Sequence, residues 1–390
     1  VLIVDIVLVL VLIGALVAGA TRGFVGSIGV IAGLVAGGAA AYWLVPLVND
    51  AWPWQQWRPL VVVLATLGLL IGGASIGGAV GSALRRGVDR TPLRVFDRLL
   101  GAGVGVVAAA LALSLAGASL AATGMPIVSS AVSSSTVLRT IERLTPAPVS
   151  RGLAELRTLV LDEGIPALGD LLEIGEVPSV PPVDLDDPEL TQAAASVARV
   201  SGTAYSCGTS STGSGFVVAP DRIVTNAHVV AGVDQPVVEL PGRAAREGRI
   251  VYFDPVDDLA VVAVDGLDAV PLPLVPTVPA GTAAAVQGFP LGGPFTMISA
   301  GVLSVGTVPV PNIYDDGLAP REIYALQAAV RPGNSGGPLL TDDGAVAGVV
   351  FARAENDAER GYAMTMAELD PVAAQAASLS DQVSSGRCIG

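Results

Sequence analysis

Four long apolar stretches stand one after another at the start of this chain: Val1–Ala20, Val25–Val48, Leu60–Leu84 and Leu99–Thr123. Each is long enough to cross the ~30 Å hydrocarbon layer of a bilayer as a helix. Backbone in lipid must satisfy its own hydrogen bonds, which leaves helices as the expected form. A cleaved signal peptide would account for the first stretch and leave three unexplained. Buried core helices are the alternative, disfavoured by four such lengths in series with almost no interior charge. The composition agrees, since 52% of the 390 residues are hydrophobic and only 14% charged. Averages of that kind arise when a membrane portion is joined to a soluble one.

The loops between the stretches set an orientation. Arg22 lies in the first, and Arg85, Arg86, Arg90, Arg94 and Arg98 in the third. The second reads NDAWPWQQWRP, with one arginine and three tryptophans. Arginine-rich loops stay in the cytoplasm and tryptophan gathers at the interface. A multi-pass protein is therefore expected in the cell membrane, with the lipid bilayer as a partner. Its N-terminus and everything after Thr123 are expected outside.

Small residues recur at four-residue spacing as Gly29, Gly33 and Gly37, as Gly73, Gly77 and Gly81, and as Gly101 and Gly105. Such spacing lets helix backbones approach closely in lipid. With the early Asp5 and the Arg22-Gly23-Phe24 string, residues 1–123 resemble the colicin V production protein family of small four-helix membrane proteins. Residues 124–198 then change character. SSAVSSSTVL and EVPSVPPVDLDDPEL are linker-like, while VLRTIERL and LAELRTLVLDEGIPALGDLLEIG carry apolar residues at helical spacing. A partly helical stalk is expected, with an accessible acidic end at Glu176–Glu189.

From residue 199 to 390 short β-branched runs alternate with Gly, Pro and Asp, the pattern of an all-β sandwich or barrel. The net charge of −14 argues against nucleic acid as a partner. No Cys or His spacing suggests a metal, and no cofactor is expected. Three segments offer nucleophilic chemistry. TNAHVV holds the chain's single histidine, His228. DPVDDLAVVAV places Asp257 and Asp258 before an apolar strand, and GNSGG holds Ser335 in a glycine turn. Acyl transfer by serine needs a base, a carboxylate to orient it, and donors for the oxyanion. Adjacent strand residues face opposite ways, so one of the two aspartates can point at His228.

GSGFVVAPDRIVTNAHVV, DPVDDLAVVAV and RPGNSGGPLLTDDGAVAGVV, in that order, resemble the trypsin-like serine proteases, particularly their bacterial high-temperature-requirement branch. The resemblance implies a double β-barrel of six strands each, with the site in the cleft between them. It implies Ser335 as nucleophile, His228 as base, Asp258 as the acid directly before its strand, and the Gly333 and Ser335 amides as oxyanion hole. Ala329, six residues before the serine, would be the pocket floor. The strand AGVVFAR would pair with substrate, Val350 and Phe351 lying near the pocket wall. No acid stands at the floor, so a small or medium apolar side chain is expected before the scissile bond. Asn334 stands where digestive members carry the aspartate that pairs with a newly cut N-terminus.

Cys207 and Cys388 bracket this domain, and a location outside the cytoplasm favours a disulfide between them over a free pair. The whole arrangement is similar to the mycobacterial acid-resistance membrane serine protease family. That resemblance implies a periplasmic endopeptidase acting on cell-envelope proteins under acid and oxidative stress, with acid expected to govern assembly or stalk self-cleavage. The competing expectation is a membrane scaffold or channel whose protease-like domain only binds peptides.

Overall fold

The computed structural model of the protein describes residues 2–51, 58–88, 93–122, 132, 134–146, 148–149, 152–153, 165–169, 172, 180–204 and 209–389. Their contacts divide the chain into two units, residues 5–113 and residues 114–390 together with 1–4.

The smaller unit is built from α1 (Leu2–Ala51), α2 (Arg58–Val88) and most of α3 (Arg94–Ala122). The first two apolar stretches run into one another as α1, broken at Gly23, where φ is 73° and ψ 173°. This is where the sequence predicts the first loop, and a single residue supplies it. A broken helix leaves amides and carbonyls without partners. Here Asp97 Oδ1 accepts from Val25 N at 3.1 Å, and Arg85 Nη1 donates to Thr21 O. The two side chains pair with each other, Arg85 Nε lying 3.2 Å from Asp97 Oδ2.

Among the described residues, two spans are long and apolar enough to cross a membrane, Leu2–Ala41 and Arg94–Ser114. Four stretches give two such spans partly because the first two are merged across the Gly23 break. The third forms α2, part of whose side chains lies outside the described residues, as do residues 52–57 of the tryptophan loop and Arg90.

The spaced glycines are where backbones touch. A Cβ on Gly33 would sit 2.1 Å from Gly73 O, one on Gly77 2.1 Å from Gly29 O, and one on Gly105 2.4 Å from Ala15 O. Gly14, by contrast, has nothing within 4 Å of its Cβ position. Gly33→Leu is therefore expected to separate α1 from α2 and abolish cooperative thermal unfolding of this unit in detergent. Gly14→Leu should melt like the parent, and equal melting of both variants would refute the packing argument.

In the larger unit, VLRTIERL forms α4 (Thr136–Leu144), capped by Ser135, whose hydroxyl accepts from Leu138 N at 3.2 Å. Most of the second helical stretch expected in the stalk lies outside the described residues. Residues 165–169 within it include β1 (Ala167–Leu168). Pro166 disfavours helix at the residue before it, and the edge of a sheet supplies the partners. The acidic end of the stalk is described from Val180. Asp187 caps α5 (Pro188–Ala193), and Leu190 is fully buried.

One seven-stranded sheet then comprises β2 (Val197–Ala204), β3 (Thr209–Ala219), β4 (Arg222–Thr225), β5 (Val237–Glu239), β6 (Arg246–Glu247), β7 (Arg249–Asp254) and β8 (Leu259–Ala263). Its order, β6-β5-β2-β3-β4-β8-β7, leaves only Gly248 between the two end strands, so it curls on itself. Between β4 and β5 lies the one-turn α6 (Ala227–Val230). The second sheet holds β9 (Ala283–Gly288), β10 (Thr296–Pro311), β11 (Leu318–Gln327), β12 (Pro338–Leu340), β13 (Val346–Ala354) and β14 (Arg360–Met364), closed by pairing of β13 with β14. After it comes α7 (Met366–Ala376). The expected count was six strands in each barrel. The first gains the two-residue β6, and the second gains β1, which adds in parallel to the outer edge of β13.

Apolar side chains from both sheets meet in one cluster that holds Phe216, Val261, Leu340 and Phe351, and each barrel adds a core of its own. Alternation along each strand produces this, one face of a strand turning inward.

Candidate active site

Ile223-Val224-Thr225 ends β4 in the core, and the chain turns at Asn226 into α6, which presents His228. Opposite it, the turn before β8 ends at Asp258, a non-glycine residue at φ 57°. That left-handed backbone is uncommon, and here three hydrogen bonds surround it. Asn226 Nδ2 donates to Asp258 O at 2.8 Å, His228 N to Asp258 Oδ1 at 2.9 Å, and His228 Nδ1 lies 2.7 Å from Asp258 Oδ2. Two bonds to one carboxylate fix the ring plane, and a carboxylate at Nδ1 leaves Nε2 as the atom free to accept a proton. Asp257, adjacent to it, takes no part. Its amide donates to Asp254 Oδ1, and burial, then the neighbouring Asp254, push its carboxyl above the usual range.

Ser335 is 2% exposed in the turn between β11 and β12. Its Oγ and His228 Nε2 are both buried without a hydrogen-bond partner. They line one cleft of about 580 Å³ together with Asp258, Arg321 and Phe351. Nucleophile and base commonly sit loosely before substrate arrives.

The glycine turn is held from three sides. Gly333 has φ 90°, and a Cβ there would lie 2.3 Å from Phe289 O. Pro332 O accepts from Leu291 N at 2.6 Å, which points the Gly333 N–H at the other end of that planar peptide away from the Phe289 loop. Ser214, fully buried on β3, receives Phe289 N at 2.9 Å and donates to Gly333 O at 2.6 Å. Its amide donates to Ser335 O at 2.7 Å. Asn334, 3% exposed, accepts from Arg331 N through Oδ1 at 3.0 Å. The turn thus closes on its own amide side chain, where the sequence comparison anticipates a missing carboxylate latch.

Of the three pocket residues, Phe351 lines the cleft. Val350, its neighbour on β13, faces the other way into the second barrel's core. Ala329 is half-buried and outside the cleft lining, and Val330 packs against Gly361, whose Cβ position is 2.3 Å from Val330 Cγ2. The chain kinks there, Val330 N donating to Ala328 O at 2.8 Å.

The edge of β13 expected to receive substrate already carries a strand. Arg353 N donates to Pro166 O at 3.1 Å and Glu355 N to Leu168 O at 2.8 Å. Ile165 is buried against the second barrel, and residues 165–168 line the cleft. This occupant, Ser214 and Arg321 all escape the sequence reading. The GSGF string quoted above contains Ser214 but gives it no role, and nothing in the stalk marks a strand. Cys207 lies outside the described residues, and no cysteine among the described residues is free.

The chain is similar to known peptidases. Residues 213–349 match the trypsin-like peptidase domain family, and residues 4–146 match the Colicin V production protein family. Over 320 residues the chain is 34% identical to serine protease Rv3671c of Mycobacterium tuberculosis, covering 79% of each protein. The crystal structure of the Rv3671c protease in its active form superposes with a TM-score of 0.52 and 33% identity, covering 57% of this chain and all of that one. A shorter match, 32% identical over 176 residues, is to a probable periplasmic serine endoprotease DegP-like of Pseudomonas fulva, of which it covers 34%. The chain belongs to the family of the mycobacterial serine protease Rv3671c, in which a trypsin-like peptidase follows a Colicin V production protein domain, and it is a serine endopeptidase.

Proposed function

We propose that the protein is a membrane-anchored endopeptidase that cleaves cell-envelope proteins outside the cytoplasmic membrane, through an acyl-enzyme on Ser335. The observation that carries this is the doubly bonded His228–Asp258 pair with Nε2 left unpartnered in the same cleft as an unpartnered Ser335 Oγ. His228 Nε2 takes the Ser335 proton as Oγ attacks the scissile carbonyl, then gives it to the leaving amine. Asp258 holds the ring and offsets the charge of the imidazolium. The amides of Gly333 and Ser335 stabilise the oxyanion, a donor pair whose members are each worth about 10²-fold or more in rate. Water then repeats the sequence on the ester.

The test is labelling of the full-length protein with a serine-directed fluorophosphonate. Ser335-dependent labelling, absent in Ser335→Ala, is the expected result. A folded protein that takes no label at Ser335 would leave a peptide-binding scaffold as the better reading.

Four membrane crossings, with the protease outside, fit the Gly23 break, since segments 2–22 and 24–51 each have the length one crossing needs. A Cys207–Cys388 bridge is supported by the absence of free cysteine among the described residues. Cys388 Sγ also lies 2.8 Å from the Cβ position of Gly232 and so close to Ala204 at the end of β2. A role in acid and oxidative stress rests on the family resemblance.

Substrate is expected to displace β1 from β13. Placing Asp at Ile165 and Leu168 should raise kcat/KM for a short peptide about tenfold if the strand is docked roughly nine-tenths of the time. Unchanged kcat/KM would show that the segment does not compete with substrate.

A further inference from the structure

Arg321 is 1% exposed, the bulkiest fully buried side chain of the protein's described residues. It sits on β11 in the second barrel, in step with the inward-facing Ile323 and Ala325. Its guanidinium reaches into the first barrel, where Nη2 donates to Val256 O, and, at 3.4 Å, back to Pro311 O. The same group lies over the Phe351 ring, 5.4 Å from its centroid. Its Nε is buried with no hydrogen-bond partner, and the side chain lines the cleft with His228, Asp258 and Ser335.

The acids whose charges act on Arg321 are Asp258 foremost, then Asp257, Glu368 of α7 and Asp254. Burial draws its own pKa downward, but a guanidinium stays charged. Burying such a cation is unfavourable, and an apolar side chain would usually fill the space better. What the position gains is control of the turn that carries Asp258. That turn is fixed at one end by Asp254 Oδ1, which accepts from Val256 N at 2.8 Å and Asp257 N at 3.1 Å. Ile313 N holds Pro255 O at 3.1 Å. The Arg321 bond to Val256 O is the remaining restraint before the left-handed Asp258.

We propose that Arg321 is a positioning residue of the reaction: through its bond to Val256 O it aims Asp258 at His228. The proposal rests on the triad assignment made above. Without the bond to Val256 O the turn is free to shift, and the Asp258 carboxylate loses its aim at His228 Nδ1.

The experiment compares Arg321→Met and Arg321→Lys with the parent as full-length protein in detergent, reading kcat and KM for a peptide substrate. For Met, kcat should fall about tenfold with KM within about twofold, since only the reacting geometry changes. Lysine lowers kcat less, because a point charge can reach the carbonyl but cannot serve a carbonyl and a ring together. A folded Met variant with parental kcat, or whose loss falls on KM alone, overturns the proposal. Should the Met variant not fold, the Lys variant decides: lowered kcat with unchanged KM supports it, and parental kcat overturns it. Fluorophosphonate labelling of the parent separates the two levels. No label at Ser335 refutes the triad itself, whereas label with parental kcat in the Met variant refutes only the role of Arg321.

Discussion

Ser335→Ala is expected to lower kcat for peptide hydrolysis by about six orders of magnitude, and His228→Ala by nearly as much. The two losses should not add. Oγ attacks only as fast as Nε2 removes its proton, so deleting either atom removes the same step. The double variant Ser335→Ala/His228→Ala should therefore be no slower than either single one. KM should change little, because neither side chain holds the substrate strand and the β13 edge is intact. The measurement is kcat for the purified full-length variants with a fluorogenic peptide. An additive double variant would mean that serine and histidine act in separate steps, contrary to their facing one cleft.

Asp258→Asn should lower kcat about 10⁴-fold near neutral pH. The carboxylate accepts from both His228 N and His228 Nδ1. An amide can accept one of these bonds and must turn an N–H toward the other. The ring then prefers the tautomer with its proton on Nε2, where it cannot act as a base. The fold should survive, since the backbone contacts from Asn226 remain. Asp257→Asn is the control, expected within about threefold of the parent because that side chain makes no bond to His228. If the two variants lose activity equally, the turn as a whole matters rather than the Asp258 carboxylate.

What could be read in advance follows from how locally each feature is encoded. Apolar runs such as LAVVA and RIVT each became a strand, because alternation and β-branching act over a few neighbours. His228, Asp258 and Ser335, which line one cleft, could be singled out as candidates because each sits in a short, distinctive string. Arg321 was not, since REIYALQ reads as an ordinary strand and its charge acquires meaning only when the two barrels meet. Ser214 was hidden in the same way, its hydroxyl bridging Phe289 and Gly333 across long stretches of chain. The segment at 165–169 was hidden for a different reason. Its apolar spacing suits a helix, but Pro166 and a vacant strand edge on β13 decide otherwise, and a sequence does not display vacant edges.

The turn around Ser335 carries one more consequence. A latch made from a carboxylate and a chain terminus holds only while both are charged, and a terminal amine titrates near ~7.7–8.0. The latch here is an amide, Asn334 Oδ1, receiving the backbone N–H of Arg331. Neither group gains or loses a proton in the range a bacterium meets. The shape of the oxyanion turn is thereby uncoupled from acidity and from cleavage of the chain elsewhere. Acid thus leaves this latch in place, and the donors of the turn should hold their aim throughout.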